Sequence, residues 1–288
     1  MRFSVIIPVF NRLKSVTRCL DMIMSQARSD IEVIIIDNGS SDDTARVIPE
    51  TYPGLVFIHN NMNMGASFAR NQGIRAAKGE YLIFVDSDAY PDRDFFSALD
   101  NILADLPGDI AAIAPKILRQ NDGCIFSCGL RMSPILRVFD VGRGRPGREC
   151  ARPFEVDGPN SCAAVIKKEC LEAIRENGQY FDETFFFLFE DVDMALRLKA
   201  AGFRTVFRPE LIFYHSGDGS FSSQRRRYLC FRNRWYLILK RYRGKGLAAF
   251  LMRSFFYDFA RTAHFALTNR YFFKAAKDIL ARAQEAGA

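Results

Sequence analysis

The sequence predicts an α/β fold with a mostly parallel central sheet, flanking helices and a helical C-terminal appendage. Three observations predict it: continuous apolar runs without polar residues at every second position, segments with helical spacing between these runs, and short connections between runs and helical segments. Continuous apolar runs are typical of strands buried on both faces, and strands that alternate with helices form parallel sheets with right-handed crossovers. A chain of 288 residues with 49% hydrophobic residues is long enough to bury such a core.

The first third of the chain shows this alternation in order. It begins with a continuous apolar run, FSVIIPV, after which Val16, Leu20 and Ile23 follow the spacing of one helix face. The same two patterns repeat to the end of a fourth apolar run, YLIFV. The predicted strands are residues 3–9, 32–36, 55–58 and 81–85, and the predicted helices are residues 13–27, 42–48 and 65–77.

Polar residues follow three of the predicted strands. Asn11 comes after the first, Asp37 ends the second, and Asp86-Ser87-Asp88 follows the fourth. Ligands of open α/β sheets bind beyond the carboxyl ends of the strands, so we expect a ligand site there. A dinucleotide-binding domain is not predicted, because no glycine fingerprint follows the first strand and the GRGRPG segment at 142–147 lies outside any strand-to-helix context.

The Asp86-Ser87-Asp88 triplet carries the strongest chemical signal. Two carboxylates two residues apart, directly after a buried strand, form a hard-oxygen site suited to Mg²⁺ or Mn²⁺ that bridges phosphates. The structural alternative is that the aspartates end the strand and cap the next helix. Their position at the expected ligand edge, with Asp37 on another strand end, favours function.

Two regions of the chain, in order, resemble one protein family. The N-terminal half of the family 2 glycosyltransferases, which have the GT-A fold, is similar to VIIPVFNR, IIIDNGSSDDT and NMGASFARNQGIRAAKGEYLIFVDSD. The acceptor-side half is similar to GPNSCAAVIKKECLEAI and FDETFFFLFEDVDMALRLKAAGFRTVFRPELIFYHSGDGS. The resemblance covers about residues 3–219 and is closest to bacterial rhamnosyltransferase-like and galactofuranosyltransferase-like members.

The resemblance implies a metal-dependent enzyme that moves a hexosyl or deoxyhexosyl group from a nucleotide-diphosphate sugar to an acceptor hydroxyl. The transfer would be a single displacement that inverts the anomeric configuration. A glycan or a lipid-linked sugar would be the acceptor, in the synthesis of cell-envelope polysaccharide or glycolipid.

The resemblance also assigns residues to the nucleobase pocket. Pro8, Val9 and Asn11 would line it, and Asp37 would accept a hydrogen bond from a pyrimidine N–H. An ionised carboxylate only accepts hydrogen bonds, so it suits N3–H of uracil or thymine and favours a UDP- or dTDP-sugar. The alternative for Asp37 is a cap of the following helix.

The ribose and the diphosphate would contact Asn63, Gly65 and Arg70, again by resemblance. Gly65 would allow a close approach of the backbone, and Arg70 would supply a charged fork for the phosphates. Arg70 could equally be a surface arginine of the predicted helix.

The metal ligands implied by the resemblance are Asp88 and His215, with Asp86 closer to the ribose and to the water shell of the ion. His215 follows the apolar segment LIFY and precedes a Gly-Ser-rich turn. A lone histidine is more often structural than a ligand, so both interpretations stay open. Mn²⁺ or Mg²⁺ is the expected cofactor.

The EDVD segment opens a predicted helix. The resemblance implies that Asp191 is the catalytic base, which takes the proton of the acceptor hydroxyl, with Glu190 as the competitor for that role. Acidic residues in a first turn also complement the helix dipole, and Asp193 lies four residues before Arg197, the spacing of a salt bridge.

The sequence beyond the resemblance predicts a second region, residues 220–288, after a catalytic domain at 1–219. Residues 225–288 carry 15 Lys and Arg against three acidic residues, interleaved with aromatic and aliphatic side chains. We expect a basic amphipathic helical region that contacts an anionic membrane surface; its charges argue against a spanning helix, and no nucleic-acid motif accompanies them. The alternative buries the aromatic residues against the catalytic domain: Trp235, Phe255, Phe256 and Phe259.

The cysteines and the N-terminus predict a cytoplasmic protein, with peripheral attachment to the inner face of the cell membrane as an option. The seven cysteines include no CxxC pair, which favours reduced thiols, and no signal-peptide pattern precedes the first strand. Residues 117–152 form the most irregular region, and their Gly/Arg-rich loop could act as a lid over the donor or acceptor.

Two other classes of function remain open from the sequence. A nucleotidyltransferase that makes sugar nucleotides could share the sheet and the metal, but its glycine-rich phosphate loop is missing after the first strand. A non-catalytic sugar- or nucleotide-binding relative would be expected to lose carboxylates, yet all four of the expected ones are present: Asp86, Asp88, Glu190 and Asp191.

Overall fold

A computed structural model describes residues 1–26, 28–217 and 222–287 of the chain. These residues divide into two compact units. The first unit comprises Met1–Arg131, Phe139–Phe186 and Glu190–Asp218, and the second comprises Met132–Val138, Phe187–Phe189 and Gly219–Ala288. The predicted boundary between residues 219 and 220 lies outside the described residues, and nothing in the sequence indicated that residues 132–138 and 187–189 group with the C-terminal region.

The first unit contains the strands and the shorter helices. Its strands are β1 (Phe3–Val9), β2 (Ile31–Asp37), β3 (Val56–His59), β4 (Tyr81–Val85), β5 (Ala89–Pro91), β6 (Ile110–Arg119), β7 (Ile125–Ser127), β10 (Phe154–Val156), β11 (Ala163–Lys167) and β12 (Arg204–His215), with β8 (Leu130–Met132) and β9 (Val138–Asp140) at its margin. Its helices are α1 (Leu13–Met24), α2 (Thr44–Thr51), α3 (Ala66–Ala76), α4 (Phe95–Ala104), α5 (Lys168–Ala173) and α6 (Glu190–Ala200).

The central sheet confirms the predicted α/β architecture. Its strand order is β10-β12-β6-β11-β4-β1-β2-β3, with β5 paired to β12 and β7 paired to β6. The four strands predicted from the apolar runs are β1 to β4; β1 pairs in parallel with β2 and β4, and β2 with β3, as expected. The sheet as a whole is mixed, because β11 runs antiparallel to both β4 and β6.

The reversed direction of β11 matters for the site. Ala163, its first residue, pairs with Val85, the last residue of β4. The segment that leads into β11 therefore reaches the same edge of the sheet as the Asp86-Ser87-Asp88 triplet. A parallel strand would have carried that segment to the opposite edge.

Both faces of the sheet are buried, as the continuous apolar runs predicted. Along β1, Val5 and Ile7 belong to one core cluster and Ile6 to another, because successive side chains of a strand point to opposite faces. The predicted helix at 13–27 is shorter, ending at Met24, and residue 27 lies outside the described residues.

The irregular region at 117–152 is held by main-chain hydrogen bonds. The amide of Gly144 donates to the carbonyl of Ile125 at 2.8 Å, and the amide of Ile125 donates to Arg145 at 2.8 Å. The ammonium of Lys116 donates to the carbonyls of Gly147 and Glu149 at 3.1 and 3.0 Å. These bonds fix the Gly/Arg-rich loop against β6 and β7; its action as a lid stays a prediction.

The second unit is helical, as predicted. It contains α7 (Ser223–Arg241), α8 (Gly244–Thr268) and α9 (Phe272–Gly287). Arg234 is buried within this unit. Its guanidinium donates to Asp258 at 2.5 Å and to the carbonyls of Ile135 and Leu136. Over the described residues, no helix combines the length and the apolar character needed to cross a membrane.

Three of the four aromatic residues named in the alternative keep much of their surface exposed, and the alternative itself stays a prediction. Phe255, Phe256 and Phe259 lie on the outer face of α8 and keep 57%, 85% and 66% of their surface exposed. Trp235 is partly buried, within a cluster of the second unit that includes the stacked rings of Phe231 and Phe265.

Candidate active site

The turns after β1 and β2 are bonded to each other through Asn11. Its side-chain oxygen accepts hydrogen bonds from the amides of Ser41 and Asp42 at 2.6 and 3.3 Å, and its own amide donates to Ser40 Oγ at 2.9 Å. Asn11 has a φ of 53°, a left-handed conformation that asparagine tolerates better than most residues. Asn11 therefore shapes the edge at which Pro8 and Val9, the last residues of β1, meet the end of β2.

Asp37 is fully buried at the end of β2. One of its oxygens accepts from the amide of Ser40 at 3.2 Å, and the other lies 2.7 Å from Nδ1 of His59. His59, which sequence reasoning missed, is partly exposed at the end of β3. As placed, the carboxylate holds two neighbouring turns, and its direct contact with a pyrimidine N3–H stays a prediction.

Asn38, also missed from the sequence, organises the loop that contains Asn63 and Gly65. Its amide group donates to Asn63 Oδ1 and to the carbonyl of Gly65, both at 3.1 Å, and its oxygen accepts from the amide of Met64 at 3.1 Å. Asn63 in turn accepts from the amide of Gly65 at 2.9 Å. The only signal in the sequence is the position of Asn38 next to Asp37, at the end of the same strand.

Gly65 allows a close approach of the backbone, but the group that approaches is the chain itself. Its φ is 92°, and a Cβ at this position would lie 2.5 Å from the carbonyl oxygen of Phe186. That carbonyl accepts a hydrogen bond from the amide of Ala66, the first residue of α3, at 2.6 Å. The contact of Gly65 with a diphosphate stays a prediction.

The segment before α6 has an unusual backbone. Phe186, Leu188 and Phe189 have φ values of 64°, 69° and 74°, which large side chains adopt rarely. Such residues cost about 1–3 kcal/mol each and cluster at functional sites. The strained segment ends where Glu190 begins the helix that carries the expected base.

Arg70 is buried, so its interpretation as a surface arginine is wrong. Its side chain is 1% exposed. One terminal nitrogen donates to Glu190 at 2.6 Å, and the other donates to Asp86 at 2.8 Å and to the carbonyl of Ser161 at 3.4 Å. Arg70 thus joins a carboxylate after β4 to a carboxylate at the start of α6, and its contact with phosphates stays a prediction.

Glu190 and Asp191 differ in their surroundings. Glu190 is buried, and its Oε1 atom is taken by Arg70, with Ser161 Oγ at 3.5 Å. Asp191 is partly exposed and accepts from the amides of Val192 and Ser161 at 2.8 and 3.4 Å. Desolvation, reinforced by the charge of Glu190, raises the pKa of Asp191 to about 7. Asp191 therefore titrates in the range in which a general base works best.

Asp193 is structural, as its spacing indicated. It accepts a hydrogen bond from Nε of Arg197 at 2.9 Å, and both side chains are buried. Arg197 also donates to the carbonyls of Ile174 and Tyr180, at 2.6 and 2.5 Å. These bonds anchor the inner face of α6 and leave the first two acidic residues of the helix for the site.

The predicted metal ligands lie side by side. Nε2 of His215, the last residue of β12, is 3.2 Å from an oxygen of Asp88. Desolvation raises the pKa of Asp88, but the hydrogen bond and charge of His215 outweigh it, so that pKa lies below its ordinary value. Desolvation also dominates at Asp86, whose pKa is raised although Arg70 opposes the shift.

Cys162, like His59 and Asn38, is a residue of the site that the sequence did not suggest. Single ligand atoms of Asp86, Cys162 and His215 lie within 4.8 Å of one another. Burial raises the pKa of the Cys162 thiol well above its ordinary value, which keeps it protonated, and a neutral soft sulfur is a poor ligand for Mg²⁺ or Mn²⁺. The carboxylates of Asp86 and Asp88 and the imidazole of His215 fit such an ion; the thiol does not.

Known protein families match both halves of the chain. A profile described as glycosyl transferase family 2 matches residues 4–123, and one described as glycosyl transferase family group 2 matches residues 164–276. The chain is 38% identical over 96 residues to the poly(ribitol-phosphate) beta-glucosyltransferase of Bacillus spizizenii, which covers 31% of the chain and 15% of that protein. It spans 20% and 27% of two other curated relatives, from Streptococcus pneumoniae and Escherichia coli.

Solved structures resemble the chain over nearly its whole length. TarS residues 1–349 of Staphylococcus aureus, in complex with UDP-GlcNAc, match with a TM-score of 0.61 at 21% identity, over 98% of the chain and 82% of the other. The mannosyltransferase PcManGT of Pyrobaculum calidifontis, in complex with GDP-Man and Mn²⁺, matches with a TM-score of 0.57 at 20% identity, over 100% of the chain and 76% of the other. At this level of identity the likeness shows the fold, which is the GT-A fold.

Proposed function

The chain belongs to family 2 of the glycosyltransferases, and from that premise we propose that it transfers a sugar from a nucleotide-diphosphate donor to an acceptor hydroxyl. One observation carries the proposal: carboxylates from two distant segments come together at the carboxyl edge of the sheet, where one buried guanidinium bonds one carboxylate of each segment. These carboxylates are Asp86 and Asp88 after β4, and Glu190 and Asp191 at the start of α6; the guanidinium is that of Arg70.

Asp191 is the base in this proposal. Its carboxylate takes the proton from the acceptor hydroxyl while that oxygen attacks the anomeric carbon. The bond from this carbon to the diphosphate oxygen breaks with its electron pair leaving on the diphosphate. A single displacement of this kind inverts the anomeric configuration and needs no protein nucleophile.

Glu190 is the weaker candidate for the base. Its Oε1 atom lies 2.6 Å from Arg70, and 2% of its surface is exposed, so an acceptor reaches it less readily than Asp191. We assign to Glu190 the role of holding Arg70 and raising the pKa of its neighbour.

Mn²⁺ or Mg²⁺ would be held by Asp88 and His215, with Asp86 beside them. Two carboxylates and an imidazole supply the donor atoms for such an ion, and Arg70, His215 and Arg12 offset part of the acidic charge. When bound, the ion acts as a Lewis acid on the diphosphate leaving group.

The donor would be a UDP- or dTDP-sugar, and the acceptor a glycan or a lipid-linked sugar of the cell envelope. Asp37 supports the pyrimidine preference, because a carboxylate suits N3–H of uracil or thymine. The structural relatives were solved with UDP-GlcNAc and with GDP-Man, so likeness of fold favours neither base. Polymer synthesis is supported by the name of the poly(ribitol-phosphate) relative.

A panel of nucleotide sugars, tested for donor hydrolysis and transfer with and without Mn²⁺, decides the proposal. We expect turnover of at least one UDP- or dTDP-sugar that needs the ion and is lost in Asp191→Asn. Release of pyrophosphate from a nucleoside triphosphate and a sugar phosphate would instead identify a nucleotidyltransferase. Tight binding of nucleotide sugars without hydrolysis or transfer would identify a binding protein.

A further inference from the structure

Helix α8 has a buried face and an apolar exposed face. The buried face contains Phe250, Ser254, Asp258 and Phe265, which recur at the spacing of one side of a helix. Soluble helices place polar residues on the opposite side. Here the opposite side carries large apolar residues instead, so α8 is amphipathic only in part.

The exposed apolar face of α8 is contiguous. The ring of Phe255 lies 5.5 Å from that of Phe256 and 6.0 Å from that of Phe259, so the three rings form one patch. Met252 and Leu267 extend it along the helix, at 75% and 86% exposure. Of the charged residues of this stretch, Asp258 pairs with Arg234 and Arg261 donates to the carbonyl of Cys230, so both face away from the patch. Arg253, three residues before Phe256, borders it.

The region that contains the patch is strongly basic. Residues 225–288 carry 15 Lys and Arg against three acidic residues, and all three acids are engaged within the second unit, Glu285 by Arg282 at 3.1 Å. Asp258 pairs with Arg234, and Asp278 accepts a hydrogen bond from Tyr228. The region therefore presents an excess of positive charge together with exposed phenylalanine.

These properties select the occupant of the face. A second copy of the chain would bring two strongly basic regions together, which like-charge repulsion opposes. An anionic bilayer offers complementary charge at its surface and an apolar layer beneath the headgroups, which together fit a helix with exposed phenylalanine in a region rich in Lys and Arg. Large exposed apolar patches mark protein or membrane interaction sites, and the charge favours the membrane.

We propose that α8 binds the surface of an anionic membrane by inserting the side chains of Phe255, Phe256 and Phe259 among the lipid headgroups. The helix lies in the plane of the interface, because Asp258 and Arg261 at its middle face away from the patch. Electrostatic attraction recruits the region and the phenyl rings retain it, so both anionic lipid and the rings are required.

Co-sedimentation of the full chain with vesicles of phosphatidylglycerol and phosphatidylcholine tests this inference. We expect binding that needs the anionic lipid and falls as salt rises, because salt screens surface charge. The double variant Phe256→Ser/Phe259→Ser keeps every charge and changes only exposed side chains. It should lower the partition coefficient by roughly tenfold or more.

The matched control is Met24→Ser/Met62→Ser, which removes two exposed apolar side chains of the first unit and should bind vesicles like the parent protein. Three results would overturn the inference: unchanged binding by the phenylalanine variant, equal binding to pure phosphatidylcholine, or absence of vesicle binding at low salt.

Sedimentation velocity without lipid tests whether a second copy of the chain occupies the face instead. A dimer of the parent protein that Phe256→Ser/Phe259→Ser dissociates would assign the face to a second copy. Because no readout is sugar transfer, the result is independent of the proposed function.

Discussion

Nη1 of Arg70 lies 2.6 Å from Oε1 of Glu190, although 120 positions separate the two residues in the chain. The other terminal nitrogen of Arg70 lies 2.8 Å from Asp86. One guanidinium therefore fixes the distance between the carboxylates after β4, expected to face the donor, and those of α6, expected to face the acceptor. Both terminal nitrogens of Arg70 are bonded to protein oxygens, so we assign it a positioning role.

Replacing Arg70 should weaken the fold strongly. Arg70→Ala leaves Asp86 and Glu190 without their cation, and breaking a buried ion pair in this way costs about 3–5 kcal/mol. Arg75→Ala is the matched control, because Arg75 lies on the same helix, is about half exposed and pairs with Glu183 at 3.7 Å. It should cost less than about 1 kcal/mol. Urea unfolding measures both; similar losses would show that Arg70 is not holding the site together.

Asp191→Asn should leave the fold and donor binding intact and remove most transfer. The amide has nearly the shape of the carboxylate but cannot take the proton of the acceptor, and loss of a general base typically lowers the rate by about 10²–10⁴. The measurement is the rate of transfer at saturating donor, beside donor affinity from calorimetry. If Asp191→Asn kept its rate while Glu190→Gln folded and lost transfer, the two roles would be exchanged.

Transfer should rise with pH through about 7, because the base acts only when deprotonated and the pKa of Asp191 is raised to that value. The rate of transfer measured across this pH range checks the expectation.

The raised pKa of Asp191 also makes the stability of the fold depend on pH. Between the ordinary carboxyl pKa near 4 and 7, the folded chain holds a proton that the unfolded chain has released, so this residue destabilises the fold increasingly as pH rises. The Tm of Asp191→Asn should therefore exceed the Tm of the parent protein by more at pH 8 than at pH 5. A constant difference would contradict the raised pKa.

The carboxylates of the site could be predicted from sequence because each has a local signal. Asp86 and Asp88 follow a buried strand, and Glu190 and Asp191 begin a helix whose apolar spacing is visible. The parallel pairing of β1 to β4 could also be predicted, because continuous apolar runs alternate with segments of helical spacing, and this pattern is visible locally in the sequence.

The residues that join these carboxylates had no local signal. Whether Arg70 is exposed depends on α6, which lies far along the chain, and its own helix contains too few large apolar residues to show which face is buried. Cys162 reaches the site only because β11 is antiparallel, a direction that its four apolar residues do not encode. His59 contacts Asp37 because β3 pairs in register with β2. Long-range pairing sets all three positions.

Binding of a nucleoside diphosphate should need a divalent ion held by Asp88. A diphosphate brings more negative charge to a region that already contains several carboxylates, so binding without a cation is opposed electrostatically. We expect Asp88→Ala to remove the Mn²⁺ dependence of UDP binding measured by calorimetry, leaving weak binding with or without EDTA. Cys162→Ser is the matched control: it replaces a buried neighbour of the same ligand cluster that is unsuited to a hard ion, so the Mn²⁺ dependence should persist. Equal affinity of the parent protein for UDP in Mn²⁺ and in EDTA would remove the metal from the mechanism, and loss of the dependence in Cys162→Ser alone would move the metal site to the thiol.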